Sequence, residues 1–347
     1  MSSNPLAADL DHILAHTSGL WEDLRGQRLF ITGGTGFVGC WLLESFAWAN
    51  ERLHLGAEAL VLTRNLEALP RKARHLAQRD DIRFHIGNMR DFTFPDGRFS
   101  HVIHVASEPS GLINNDDPEL LVETVVRGTK HVLDFSANCG AKQFLLTSSG
   151  AVYGRQPAEL TRVAEDYDGG PDVSQPQSAY GEGKRMSELL CAIYSRRNGL
   201  EVKIARLFAF VGAYLPLDAH YAIGNFIGDA MAGGPIKIKG DGTNYRSYLY
   251  AADLAIWLWT ILVKGASNRP YNVGSRNALS IAEVAATVSR ALPGQVPVEI
   301  ARPAVPGQPA ARYVPDTTRA ESELGLRECV PLEEAIRRTA QWHNQKH

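Results

Sequence analysis

Cysteine is scarce: four residues in 347, Cys40, Cys139, Cys191 and Cys329, with no CxxC pair among them. That spacing argues against a compact zinc–thiolate site and a disulfide framework, and it suits a reducing compartment. No cationic excess is present either. Lys and Arg number 36 against 38 Asp and Glu, a formal net charge of −2, so the electrostatic footprint of a nucleic-acid-binding protein is missing. No run approaches the roughly 18 apolar residues of a membrane span. The densest, Ile256 to Val263, is interrupted by Thr260 and reads as a core helix. The first residues carry Asp9 and Asp11 and lack the basic-then-apolar pattern of a secretory signal. The expectation is a cytoplasmic protein with no nucleic-acid partner and no membrane partner. His12 and His16 have a metal-ligand spacing, but no glutamate follows His12 and no third ligand is apparent. No metal is therefore expected.

What is present begins with Leu6, Leu10, Ile13, Leu14, Leu20 and Leu24 at roughly helical spacing, an N-terminal helical extension over residues 1–26. Next comes an apolar run, Arg28 to Thr32, then Gly33-Gly34-Thr35-Gly36-Phe37-Val38-Gly39, then Val38, Trp41, Leu42, Ser45 and Phe46 at helical spacing. Strand, glycine turn and helix form the context of a dinucleotide-binding turn. Gly33 permits the tight turn, Gly36 the backbone approach to a pyrophosphate, and Gly39 the close packing of helix on strand. The first N–H groups of the helix, from Phe37 and Val38 onward, then face the phosphate.

Further strands read at Glu58–Thr63, Asp81–Gly87, His101–Val105 and Lys142–Thr147, with a helix over Pro118–Asn138. Alternating strands and helices at this spacing imply an α/β protein with a doubly wound parallel sheet. Ligands then sit beyond the carboxyl ends of the strands. The second strand ends in Thr63-Arg64-Asn65 where a NAD-specific fold usually carries an acidic residue. A cation there accepts a 2′-phosphate, which favours NADP. The alternative is that Arg64 stacks on adenine, which suits NAD equally. Asn88-Met89 after the third strand would cover an adenine ring. Val105, Ala106 and Ser107 are small enough to let a cofactor cross the strand end. His101 and His104 read as strand residues rather than catalysts.

Thr147-Ser148-Ser149 leaves the fifth strand where the ligand belongs, and Tyr180-Gly181-Glu182-Gly183-Lys184 follows in a helical run, Ala179 to Arg196. Four-residue spacing puts the phenol and the amine on one helix face. A phenol alone ionises only near about pH 10; a neighbouring ammonium favours its anion. The Ser149 hydroxyl would hold a reacting oxygen and share its proton.

These segments resemble the extended short-chain dehydrogenase/reductases of the NAD-dependent epimerase/dehydratase family. The resemblance runs from about Leu24 to the C-terminus, through TGGTGFVG (32–39), GNMRD (87–91), HVAS (104–107), TSSGAVYG (147–154), YGEGK (180–184), RSYLYAADLA (246–255) and YNVGS (271–275). It implies a Rossmann cofactor domain, residues 27–212 with 243–266, and a smaller C-terminal α/β domain, 213–242 with 267–347, that binds an NDP-sugar. It implies hydride transfer at a sugar carbon, with Tyr180 as acid/base, Ser149 at the family's Ser/Thr position, and Lys184 also holding the nicotinamide ribose. It assigns Asn225-Phe226 to the nucleotide, Arg246 to the diphosphate and Arg312 as a further phosphate candidate; Ser107 also faces the sugar. A homodimer through a four-helix contact is implied as well. Two departures matter. Gly150-Ala151 stands where similar 4,6-dehydratases carry Asp-Glu and similar decarboxylases carry Glu. Ala209 and Val125 replace residues that are usually Asn. The expectation is a nucleotide-sugar oxidoreductase at C4, favoured as an NDP-4-keto-6-deoxyhexose reductase using NADPH or NADH. The alternative is a 4-epimerase with tightly bound NAD. Behind these stand a dehydratase or decarboxylase and a non-catalytic NADP-sensing protein.

Overall fold

The computed structural model describes residues 4–107, 117–219 and 221–345. The first compact unit comprises the chain up to Gly154, with Gly169–Leu207 and Ala255–Tyr271. Its centre is a sheet of β1 (Arg28–Thr32), β2 (Glu58–Thr63), β3 (Ile82–Ile86), β4 (His101–His104), β5 (Gln143–Ser149) and β6 (Glu201–Leu207). They lie in the order β6-β5-β4-β1-β2-β3, with Pro270–Val273 as a seventh strand outside β6. The six pair in parallel throughout. The order of succession of the strands reverses between β1 and β4, so a crevice opens at their carboxyl ends. All four residues of β4 are buried, as expected for a strand covered on both faces.

Helices cover the sheet for legible reasons. Phe37–Arg52 buries most of its length, Gly39 to Ala47 without a break. Such a helix needs cover on its outer side. Asn4 Nδ2 and His75 Nε2 meet the buried Glu44 carboxylate at 3.1 and 2.8 Å, and Trp259 Nε1 donates to Ser45 Oγ at 2.8 Å. The helix Ala7–His16 lies there too; Trp48 reaches back to Asp11 at 2.9 Å. Pro118–Asn138 starts at Asp117, whose carboxylate accepts the Leu120 N–H, with proline in the first turn. Ala179–Asn198 stops at Gly199, φ +67°, a left-handed cap. One face of the sheet rests on Phe30, Phe92, Phe99 and Phe135; Phe30 sits 4.5 Å from Phe135 and 5.4 Å from Phe92 by ring centroids. Truncating Phe30 to alanine would cost about 3–5 kcal/mol.

The second unit comprises Arg155–Asp168, Phe208–Leu254 and Asn272–His347. Asn272 ties its pieces together: its amide donates to the carbonyls of Val163 and Asp316, both at 2.9 Å, and its backbone N–H to Glu165. Helices Ala222–Met231, Ile281–Ala291 and Leu332–Asn344 pack here beside short strands. Ser280 and Glu283 close a reciprocal cap on the second of these helices. Among the described residues, no helix is long and apolar enough to cross a membrane.

Candidate active site

The glycine turn is built by close contact. Gly33 has φ +72°, and a Cβ there would lie 2.5 Å from Ala106 N, so a side chain would push β1 off the segment that follows β4. The helix Phe37–Arg52 begins at the exposed Gly36 with no side-chain cap. Its first N–H groups are therefore left for an anion. Val105 and Ala106 are half-buried and Ser107 exposed at the end of β4. Of the pair expected over adenine, Asn88 is half-buried and its side chain accepts the Arg90 N–H. Met89 instead turns inward, where a Cβ on Gly128 would come within 2.8 Å of its Cγ. Arg64 is exposed just past β2. A second cation missed in the sequence reaches the turn: Lys72 Nζ donates to the Thr35 carbonyl at 3.1 Å.

At the end of β5, Ser149 is nearly buried, and its Oγ accepts the Ala151 N–H at 3.1 Å. The hydroxyl proton is then left to donate. Gly150 and Ala151 open a one-turn helix, Gly150–Tyr153. The start of the helix Ala179–Asn198 presses on it: a Cβ at Gly181 would meet the Ala151 carbonyl oxygen at 2.6 Å. Gly181 is thus a packing requirement inside the YxxxK spacing. Lys184 is 2 % exposed and donates to the Thr147 carbonyl at 2.9 Å. Its Nζ stands 5.8 Å from the centre of the half-buried Tyr180 ring. Tyr180, Lys184, Thr147 and Ser149 are therefore gathered by two elements, β5 and this helix.

Beneath them runs a polar cluster that single-sequence reading did not find. Ser148 Oγ donates to Glu188 at 2.5 Å; Arg206 grips the same carboxylate through Nε and Nη2 at 3.0 and 2.7 Å and donates to the Tyr153 hydroxyl at 2.9 Å. Glu188 lies one helical turn past Lys184, a signal without a visible partner in the sequence. His104 is buried, and burial with the Lys184 ammonium pushes its imidazole down to about 3. It is neutral.

In the second unit, strands Tyr245–Arg246 and Arg312–Tyr313 pair in parallel, Arg312 opposite Tyr245 and Tyr313 opposite Arg246. The Arg312 guanidinium lies 4.1 Å over the Tyr245 ring and that of Arg246 5.7 Å from Tyr313. The two arginines named from the sequence, 66 positions apart, thus share one small sheet. Arg246 also donates to the Tyr245 carbonyl; Asp241 accepts from Thr243, and Asp253 from the N–H groups of Cys329 and Val330. On Ala222–Met231, Phe226 is 3 % exposed and packs in the interior, leaving the half-buried Asn225 as the accessible member of that pair.

Residues 29–274 match the model of the NAD dependent epimerase/dehydratase family. UDP-glucuronic acid decarboxylase 3 of Arabidopsis thaliana is 30% identical over 311 residues, covering 89% of this chain and 87% of the relative. UDP-glucuronic acid decarboxylase 1 of Danio rerio is 27% identical, covering 92% and 73%. Among solved structures, dTDP-glucose 4,6-dehydratase of Streptomyces venezuelae, with NAD and TYD bound, superposes with a TM-score of 0.75 at 25% identity, covering 92% of this chain and 97% of that one. UDP-glucuronic acid 4-epimerase of Bacillus cereus, in complex with NAD, has a TM-score of 0.75 at 20% identity, covering 92% and 96%.

Proposed function

We propose that this chain, which belongs to the NAD dependent epimerase/dehydratase family, is a nucleotide-sugar oxidoreductase acting at sugar C4. One arrangement carries the reading: Lys184 anchored on Thr147 beside Tyr180, with Ser149 at the same strand end and no carboxylate at positions 150 and 151. Such a site can move one proton at one oxygen. It lacks the acids for eliminating water across a second bond.

The uncapped helix start at Gly36 and the side-chain-free approach at Gly33 fit a dinucleotide's pyrophosphate. A nicotinamide held there would exchange a hydride with the sugar. The chain's own residues do the rest. In the reductive direction Ser149 donates a hydrogen bond to the C4 keto oxygen, and Tyr180 gives that oxygen its proton. Lys184 compensates the phenolate left behind. Arg246 and Arg312 supply guanidinium forks for the sugar diphosphate. We favour reduction of a 4-keto-6-deoxyhexose nucleotide, and NADPH over NADH, because Arg64 follows β2 where an acidic residue would hold a free ribose hydroxyl, and a second cation, Lys72, reaches the glycine turn.

The relatives favour a second reading, decarboxylation of a UDP-glucuronate-type substrate. Oxidation at C4 makes the C6 carboxylate a β-keto acid, which sheds CO₂ without a further enzymic acid, so Gly150-Ala151 bars this outcome less strictly than dehydration. One experiment separates the readings. The purified protein is denatured and its released cofactor identified. Intact protein then meets 4-keto-6-deoxy sugar nucleotides with NADPH or NADH, and separately UDP-glucuronate and UDP-hexoses with NAD. Stoichiometric loss of reduced nicotinamide supports the reductase, CO₂ the decarboxylase, and C4 inversion without net redox change the epimerase. No turnover in any arm refutes the C4 assignment.

We also propose a homodimer in a reducing cytoplasm. Met186, Leu189 and Ile193 are 44 to 53 % exposed along Ala179–Asn198, with Leu120 and Val122 exposed on Pro118–Asn138. An apolar stripe of this kind is a protein contact surface.

A further inference from the structure

Thr32 and His104 are register partners at the ends of β1 and β4. Four buried side chains meet there in one file. Ala106 N–H donates to Thr32 Oγ1 at 3.1 Å, and Thr32 Oγ1 lies 2.7 Å from His104 Nδ1. On the other side of the ring, His104 Nε2 lies 3.2 Å from Thr129 Oγ1, which lies 3.0 Å from Ser187 Oγ. Ser187 Oγ donates to the Gly183 carbonyl at 2.9 Å, one residue before Lys184. Thr32, His104, Thr129 and Ser187 are each no more than 1 % exposed, so every proton in the file needs a protein partner.

Donor and acceptor accounting leaves one solution with every hydroxyl used. The Gly183 carbonyl can only accept, so Ser187 spends its proton there and accepts from Thr129. Thr129 has then spent its proton and must accept from an N–H, so His104 Nε2 carries hydrogen. Nδ1 is bare and accepts from Thr32, which in turn accepts from Ala106 N–H. All donors point one way, from the cofactor cradle towards the helix of Tyr180 and Lys184. The same residue has a second tie: its carbonyl accepts from Thr147 Oγ1 at 3.1 Å, and the Thr147 carbonyl holds Lys184. A protonated ring would point Nδ1–H at Thr32 and strand the Thr32 proton in a buried site.

We propose that His104 is a positioning residue, held as the neutral Nε2–H tautomer, that joins the dinucleotide cradle at Thr32 and Ala106 to the helix carrying Tyr180 and Lys184. Its two nitrogens do separate work: Nδ1 sets the cradle and Nε2 sets the helix. The inference rests on the nucleotide-sugar oxidoreductase reading for its kinetic arm and on geometry alone for its spectroscopic arm.

The two arms can be cut independently. Asparagine places an amide oxygen near Nδ1 and nothing at Nε2; glutamine places an amide nitrogen near Nε2 and leaves Nδ1 empty. His104→Asn is expected to lower kcat about tenfold more than it weakens dinucleotide binding, and His104→Gln the reverse, a tenfold bias being what one lost buried hydrogen bond is worth. Binding is read by titration with NADH and NADPH. Loss of both parameters in step in both variants, or of neither, overturns the division of labour. Wild-type protein supplies a test that needs no variant to fold. Its ¹⁵N-histidine spectrum should contain one buried ring with a pyridine-type Nδ1 and a pyrrole-type Nε2, assigned by its absence from His104→Phe or, if that variant is unfolded, by through-bond correlation from the His104 backbone. A pyrrole-type Nδ1 refutes the proposal. Should no substrate turn over, the oxidoreductase reading fails, while the tautomer and the weaker dinucleotide binding of His104→Gln than of His104→Asn still stand or fall by themselves.

Discussion

The Lys184 ammonium donates to the main-chain carbonyl of Thr147 at 2.9 Å. The contact fastens the helix bearing Tyr180 to the end of β5, two residues before Ser149. It also answers a physical demand, because a buried charge without a partner is costly. A backbone carbonyl is a partner that substitution at residue 147 leaves in place.

Tyr180→Phe removes the proton and keeps the ring. Turnover should fall about a hundred- to ten-thousand-fold, the usual weight of acid–base catalysis, with dinucleotide affinity changed far less. Lys184→Met should lose turnover as well and cost about 1–3 kcal/mol of stability through the orphaned Thr147 carbonyl. Steady-state kinetics and urea melts read both. Wild-type turnover in the tyrosine variant would end the assigned chemistry.

Arg64→Ala tests cofactor choice. If Arg64 meets a 2′-phosphate, KM for NADPH rises about tenfold and KM for NADH hardly moves, as for one charge-assisted contact of about 1.5 kcal/mol. Equal rises for both cofactors would instead mean that the guanidinium stacks on adenine.

Glu188→Gln should destabilise the fold by roughly 3 kcal/mol, because Arg206 keeps its charge in a site where both side chains are 14 % exposed. The double change Glu188→Met with Arg206→Met should recover much of that loss, since no charge is then stranded. Denaturant midpoints of the three proteins decide it. A double variant no more stable than Glu188→Gln would contradict the explanation.

His101 is buried on β4, and burial pushes its imidazole down to about 4, with Lys142 adding to the effect and Asp23 opposing it. The unfolded ring titrates near about 6.5. Between these values the unfolded chain binds more protons, so stability is complete above about pH 6.5 and is lost as pH falls towards about 4, by about 1.4 kcal/mol per pH unit. His104 contributes in the same direction down to about 3. His101→Gln should flatten the acid limb of a denaturant-midpoint-against-pH curve by one proton; an unaltered slope would show that His101 is already protonated when folded.

Leu189 is 53 % exposed on the helix Ala179–Asn198. If two copies meet there, Leu189→Arg should yield monomers by sedimentation while the thermal midpoint of the dilute protein barely moves. A wild-type monomer at micromolar concentration would dispose of the dimer.

The sequence by itself determined what depends on neighbours along the chain. A turn at φ +72° needs glycine at 33; buried parallel strands need apolar runs; a helix repeating every 3.6 residues puts 180 and 184 on one side whatever surrounds them. Those local rules sufficed for the Rossmann fold. Tertiary structure alone decided which groups meet across elements. Lys184 and Thr147 are 37 positions apart, Ser148 and Glu188 40, and Thr32 and His104 72. Their pairing depends on strand order and on how each helix is rotated about its axis. Helix rotation turned Phe226 inward, and the turn after β3 did the same for Met89, although their side chains suit a ligand pocket and a core equally well. Backbone periodicity is written in one sequence, whereas the contact between two distant faces exists only once the sheet has assembled.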